Sequence, residues 1–372
     1  MSEATATSWR VPLGKGWRQE VGLVTAIILL GIYFTSRNGV FLSLDNLGNI
    51  AEQSTFIGLL AVAMTFVVVS GQFDLSVGSM FGLSAIVFGT ALEAGWNVWL
   101  AAAAGVASGA GMGLTNGVLS VLLRVPVIII TLGTLSVYRG TSYWISNGFP
   151  VSGFGQSSAL FRFGQGRLIP WPSGLDWIPD LVVALVAVAL LGHLLLSRTV
   201  FGQHVYALGS NRRAAQLAGL HVNRVQVGVL TLLGLAAGIA GVLGVAQAGS
   251  ADPNAGVGYE LDVIAAVIIG GAALTGGRGR VPASLLGILL IGEVRNGLVI
   301  SGVSLYGQVI VSGVLIVAAV AVDRLITGRG ERQETLRKEV AYGIRRLLRG
   351  LHKPEPHALR PGAHSISKEE ER

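Results

Sequence analysis

An all-α, membrane-spanning bundle of about ten helices is the fold this sequence predicts, and three observations predict it. Apolar segments recur from Val21 to the region of Asp323, each near the roughly 20 residues needed to cross a bilayer core. Charged residues make up only 13% of the chain, against roughly a quarter in soluble domains. The Lys and Arg that remain fall mainly in alternate connections, as the positive-inside rule requires.

The segments lie near 21–36, 54–71, 75–93, 97–122, 125–146, 179–197, 224–246, 260–276, 282–300 and 306–325. The first follows Arg10, Lys15 and Arg18, the order of a signal peptide. It runs to Arg37 with no small-x-small cleavage pattern, and more spans follow, so it is read as a retained helix. The third and eighth are short and rich in Gly and Ser. Such segments suit broken or half-buried helices shielded by their neighbours. An even number of spans puts both termini on one side. Arg10, Lys15, Arg18, Arg124, Arg198, Arg212, Arg213, Arg224, Arg278, Arg280 and Arg324 then fall inside. Arg37, Arg162 and Arg167 fall outside. Both termini are therefore expected in the cytoplasm of a multi-pass inner-membrane protein.

This divides the chain into a cytoplasmic segment 1–20, a transmembrane domain 21–325 and a tail 326–372. The connection 37–53 carries Leu44, Leu47 and Ile50 on a short amphipathic stretch. The outer connection 147–178 holds Pro150, Pro170, Pro172 and the interfacial candidates Trp171 and Trp177. The tail holds 11 of the 27 Lys and Arg. Within it, Leu336, Val340, Ile344, Leu347 and Leu351 recur at helical spacing among Arg337, Lys338, Arg345 and Arg346. That pattern suits a basic amphipathic helix on anionic lipid, or a solvated extension of the last span, followed by disorder past Pro354. Membrane lipid, not nucleic acid, is its expected partner.

Gly105, Gly109, Gly113 and Gly117 form a small-residue stripe, and Gly234 and Gly238 form a second. Such stripes let helices approach closely in lipid. The polar residues inside spans are few: Asn116, Arg139, Glu293, Arg295 and Asn296. Each either faces a wet pathway or bonds another helix. Glu293 and Arg295 stand two apart and point different ways.

Three motifs remain. In 202–219, Ser210 or Asn211 can cap a helix start, Ala214 and Ala215 lie within it, and Gly219 can end it. The expected result is a short cytoplasmic helix whose small residues seat in a partner's groove. In Val69–Ser79, Asp74 can cap the following helix, with a gating or solute-pathway role as the other reading. The run Ile269–Arg280 is Gly-rich but lacks the Gly-Lys-Ser/Thr ending of a phosphate loop. The chain has no Cys, and His193, His204 and His221 are dispersed, so no metal site, catalytic residue or cofactor is predicted.

Taken in order, these runs resemble the ABC-type monosaccharide permeases of the ribose, xylose and galactose importers. The resemblance rests on Gly71–Ser79, the loop Val205–Gly219, Thr131–Gly140, Ile269–Gly277, Asn296-Gly-Leu and Ala-Val-Asp323. It departs at Gln72-Phe73 and at Ser210. It implies an inner-membrane permease subunit for a sugar or polyol. A cytoplasmic ABC ATPase would dock on 198–223, through Gly209, Asn211, Ala214, Ala215 and Gly219. A periplasmic or lipid-anchored sugar-binding protein would deliver solute outside, and two permeases would pair as a homodimer. Asp74, Asn116, Arg139, Glu293 and Asn296 are the candidate translocation-pathway residues. The competing readings are a permease for a non-sugar solute and a stand-alone secondary transporter.

Overall fold

The computed structural model describes residues 16–166, 169, 172, 174–304, 306–308, 310–311, 313–314 and 317. Arg10, Lys15, Arg167, Trp171, most of the tenth segment, Asp323 and the tail 326–372 lie outside the described residues. Those described build helices and no strand ladder. The helices are α1 (Gly16–Arg37), α2 (Leu44–Val69), α3 (Val77–Glu93), α4 (Val98–Leu123), α5 (Val127–Ser146) and α6 (Ala159–Gly164). After them come α7 (Leu181–Arg198), α8 (Val200–Ser210), α9 (Arg212–Leu217), α10 (Val222–Ala248), α11 (Tyr259–Ile269) and α12 (Val281–Ile300).

Among the described residues, six helices are long and apolar enough to cross a membrane: α1, α2, α4, α7, α10 and α12. At about 1.5 Å per residue, α3 and α11 are shorter than a bilayer core, while α5 has the length but not the apolarity.

Two boundaries differ from the expectation, each for a physical reason. α2 starts at Leu44, not near 54, because Ser43 caps it by accepting from the Asn46 N–H. Its polar first turns are stabilised by a neighbour instead of by lipid. α11 stops at Ile269, where Gly270 and Gly271 take over, with φ +91° at Gly271.

α2 is the central helix, buried over most of its length, with α7, α10, α11 and α12 packed around it. The largest interface joins α4 and α10. There the two predicted stripes turn out to be each other's partners. A Cβ at Gly109 would lie 2.4 Å from the Gly234 carbonyl oxygen, and one at Gly113 would lie 2.2 Å from that of Leu230. The helices therefore touch backbone to backbone, and dispersion between them does the work that burial from water does in soluble proteins.

The connections gather at two ends. At one, Arg280 pairs with Glu20 at 2.8 Å, the Gly277 N–H donates to the Val69 carbonyl, and α8 and α9 lie close by. At the other, Val151 bridges to Ala251 and the Gln156 amide donates to the Gly249 carbonyl. Phe161 of α6 is fully buried there and stacks on Phe88. Trp96, Trp99 and Trp144 stand exposed toward this second end, as interfacial aromatics do. Trp177 is half-buried, its carbonyl 2.5 Å from where a Cβ of Gly48 would sit.

Candidate functional site

The segment 198–223 folds as two successive helices, not one. Thr199 caps α8 by accepting from the Gly202 N–H, and Asn211 caps α9 by accepting from the Ala214 N–H at 2.9 Å. Gly219, at φ +85°, follows its end. The predicted short helix is present, but its two alanines part company. Ala215 is buried against its own bundle, while Ala214 is exposed. The outward surface also presents Arg213, Gln216 and Leu217, the last 84% exposed. Sequence reasoning missed Leu217 because it reads as one more periodic apolar residue.

α9 is tied to the rest by short links. Arg212 donates to Gln226 at 2.7 Å and to Asn223 at 3.0 Å, both on α10. Gln226 in turn donates to Ser120 of α4, whose hydroxyl donates to the Val125 carbonyl. That carbonyl sits in the corner between α4 and α5, where Arg124 holds φ +56°. The last turn of α8 is fixed more tightly still. A Cβ at Gly209 would fall 1.8 Å from the Val69 carbonyl oxygen and 2.6 Å from the Gly277 nitrogen. Tyr206 donates to the Gly279 carbonyl at 2.7 Å. Burial pushes its phenol above the usual value, with Arg280 pulling the other way, so it stays a donor. The α8–α9 pair is thereby connected to the end of α2, the α4–α5 corner and the Gly-rich link before α12.

Two stretches of irregular backbone, residues 70–76 and 249–258, dip into the bundle beside the start of α3. They meet where a Cβ at Gly78 would lie 2.2 Å from the Gly256 carbonyl oxygen. Backbone groups outside helices need partners at such depth, and the predicted polar residues supply them. Asp74, fully buried, accepts from both the N–H and the hydroxyl of Ser76, each at 2.7 Å. Ser76, not Asp74, is the N-cap of α3, so Asp74 acts two residues ahead of the cap. Asn116 donates to Asp74 and Ser76, and Tyr138 donates to Asn116 at 3.0 Å. Thr131 accepts from the Leu75 N–H. Arg139 serves the other stretch, donating to the carbonyls of Pro253, Ala255 and Gly78. α5 thus carries polar side chains for both breaks, which is why it is too polar to read as a simple span.

The remaining pair of candidates sits elsewhere. Asn296 and Asn46 exchange amide hydrogen bonds at 2.9 and 3.0 Å. Glu293 faces α1, with Oε1 3.1 Å from where a Gly31 Cβ would stand. Arg295 turns the other way and pairs with Asp262 of α11. The five predicted residues therefore form three groups and not one lined path: Asp74 with Asn116, Arg139 alone, and Asn296 beside Glu293. Tyr138, Thr131 and Asp262 were missed, since a hydroxyl or a carboxylate at a helix start carries no distinctive spacing.

Known proteins share this sequence along most of its length. The family described as "Branched-chain amino acid transport system / permease component" matches residues 46–320. The chain is 40% identical over 311 residues to the ribose import permease protein RbsC of Escherichia coli (strain K12), covering 83% of this chain and 95% of that one. It is 38% identical to the RbsC of Bacillus subtilis (strain 168), covering 83% and 94%. It is 36% identical to the D-allose transport system permease protein AlsC of Escherichia coli (strain K12), covering 81% and 90%.

Proposed function

The chain belongs to the branched-chain amino acid transport system / permease component family, and from that premise we propose that it is the membrane-spanning permease of an ATP-driven sugar importer. The observation that carries the reading is the run of sugar permeases, for ribose and allose, that align with over four fifths of it. Those relatives favour a monosaccharide or polyol over an amino acid. ATP hydrolysis belongs to a separate ABC subunit, so the chain itself moves solute and does no bond chemistry.

The transmembrane domain is 21–325, with 1–20 and the basic tail 326–372 in the cytoplasm, the tail's basic amphipathic pattern suited to the inner leaflet. The alternating charge supports this orientation, as does the gathering of Glu20, Arg212, Arg213 and Arg280 at the α9 end. The ABC ATPase docks on 198–223, with Gly209, Asn211 and Gly219 shaping the contact, Ala214 and Leu217 touching the partner, and Ala215 holding α9 to its own bundle. A solute-binding protein, periplasmic or lipid-anchored, delivers sugar to the end carrying α6.

Two permeases pair around the pathway. α5 packs on α3 and α4 with one face, while Gly133, Ser136 and Gly140 stay exposed on the other. No atom lies within 4 Å of a Cβ at Gly133 or Gly140. Small residues on an uncovered helix face let another helix approach closely in lipid, so a second copy covers it. Asp74, Asn116 and Arg139 stand behind that face and hold its supporting backbone in shape. ATP-driven movement of α9 then biases the bundle between two states, which requires contacts that differ between them.

Uptake by the full transporter in proteoliposomes tests the reading. D-ribose, D-allose or L-arabinose should enter only with ATP, the ATPase and the binding protein present. Uptake without the ATPase, driven by an ion gradient, would overturn it in favour of a secondary transporter. Leu217→Asp or Ala214→Trp should lower ATPase co-purification and transport at least tenfold with membrane insertion intact. Normal transport by both variants would remove α9 from the coupling role.

A further inference from the structure

A cavity of about 250 Å³ opens among α2, α10, α11 and α12. Its walls include Gln53 and Ser54 of α2, Gln247 of α10, Tyr259 of α11, and Gly292 and Arg295 of α12. Gln53 and Ser54 lie in the first half of α2, Tyr259 opens α11, Gln247 closes α10, and Arg295 lies in the last turns of α12. All four helices therefore reach the cavity at the α6 end, where the proposed delivery of sugar occurs.

The lining is built, and one group in it lacks a partner. Gln247 is held by Glu52, to which its amide donates at 2.7 Å, leaving its own carbonyl oxygen to accept. Arg295 is held by Asp262 and keeps further N–H groups on its planar fork. The Tyr259 ring is braced by Phe81 at 5.4 Å. Ser54 is only 2% exposed, and its hydroxyl has no hydrogen-bond partner. It points into the notch left by Gly292, where a Cβ would come within 2.4 Å of the hydroxyl oxygen. A buried hydroxyl without a partner is unfavourable and calls for an explanation.

We propose that this cavity is a solute waypoint within each permease, taking one small, neutral, polyhydroxylated molecule between the binding protein and the central path. The chemistry selects that class. Hydroxyls both donate and accept, which matches the Ser54 hydroxyl, the Gln247 carbonyl and the free guanidinium N–H groups. The aromatic wall suits the C–H face of a sugar ring. The Arg295 charge is already met by Asp262, so an anion gains little. The volume lies below the about 300–1,000 Å³ of drug-sized pockets, which suits a single monosaccharide. This inference rests on the sugar-importer reading.

The absence of cysteine makes the test direct. Ser54→Cys gives the permease a single thiol at the cavity wall. The assembled transporter with its ATPase and binding protein is treated in proteoliposomes with methyl methanethiosulfonate, which adds a small S-methyl group, and D-ribose uptake and ATP hydrolysis are measured. The wild-type chain treated identically controls for thiols on the partners. The Ser54→Cys transporter before treatment sets the reference rate. After it, uptake should fall at least tenfold while stimulated ATP hydrolysis stays within twofold, and dithiothreitol should restore uptake. D-ribose-loaded binding protein should slow the modification. An introduced thiol that never reacts, or a modified transporter that imports at the wild-type rate, overturns the waypoint while leaving the importer intact. A wild-type transporter that imports none of D-ribose, D-allose and L-arabinose overturns both readings.

Discussion

Asn46 and Asn296 stand 250 positions apart and exchange two amide hydrogen bonds, and Asn46 also donates to the Phe41 carbonyl. Both are buried. Hydrogen bonds between membrane helices contribute on the order of 0.6–2 kcal/mol. Asn296→Leu should therefore lower unfolding stability by about 1 kcal/mol, read by thermal unfolding in detergent. Much of that loss comes from the amide left behind on Asn46. The double variant Asn46→Leu/Asn296→Leu should recover part of it, and simple additivity of the two single losses would show that the amides do not act as a pair. At this scale the sequence was a fair guide to which side chains matter and a poor one to why. Asn116, Arg139 and Asn296 were visible as polar residues in apolar runs. Their partners were not, because Arg139 bonds carbonyls 114 and 116 positions away and no local spacing encodes that.

Helices were legible where a single cause controlled them. The cap at Asn211 and the stop at Gly219 follow from local chemistry, and the structure has both. The stripes on α4 and α10 follow from periodicity, although their mutual pairing does not. α2 was cut short in the sequence because its first turns are polar, and their burial comes from α12 rather than from their own composition. α8 was missed since a helix set off from the preceding span by Thr199 alone looks like loop in a hydropathy profile. The α4–α10 contact yields a sharp expectation. Gly113→Val would push its side chain into the Leu230 carbonyl. The chain should still insert, yet lose about 2 kcal/mol or more, within the 1–3 kcal/mol typical of overpacking. Fluorescence-detected size exclusion after graded heating measures this. Gly111→Val, where a Cβ meets open space, is the matched control.

The described residues form a bundle with two unlike ends. One is basic, carries α9, and is cross-tied through glycine backbone. The other is aromatic-rimmed and covered in part by α6. The proposed orientation puts the first in the cytoplasm. Since the chain has no cysteine, Trp99→Cys and Leu217→Cys can each supply one thiol at an exposed position on opposite ends. A membrane-impermeant maleimide should label the Trp99→Cys variant in intact spheroplasts and the Leu217→Cys variant only in inside-out vesicles. The reverse pattern would invert the topology and with it the docking assignment. The sequence argues for this orientation through charge alone, because the positive-inside bias sums over many loops and tolerates error in any one of them. The part played by the shorter helices was less accessible. α3 and α11 are apolar but short, and hydropathy does not separate a half-helix supported by neighbours from a full span.

The meeting of Gly209, the Val69 carbonyl and Gly277 has a consequence for how such a protein can change over generations. Around Gly209 the contacts are backbone on backbone, so no side chain there can shrink, rotate or repack to absorb a replacement. Even alanine at 209 would bring its methyl to 1.8 Å from an oxygen, and Gly277 adds a left-handed φ of +75°. Adaptation to a new sugar can therefore proceed freely in the cavity walls at the far end, while this joint resists drift one substitution at a time. A single lineage can diversify its cargo and still drive every version with the same motor.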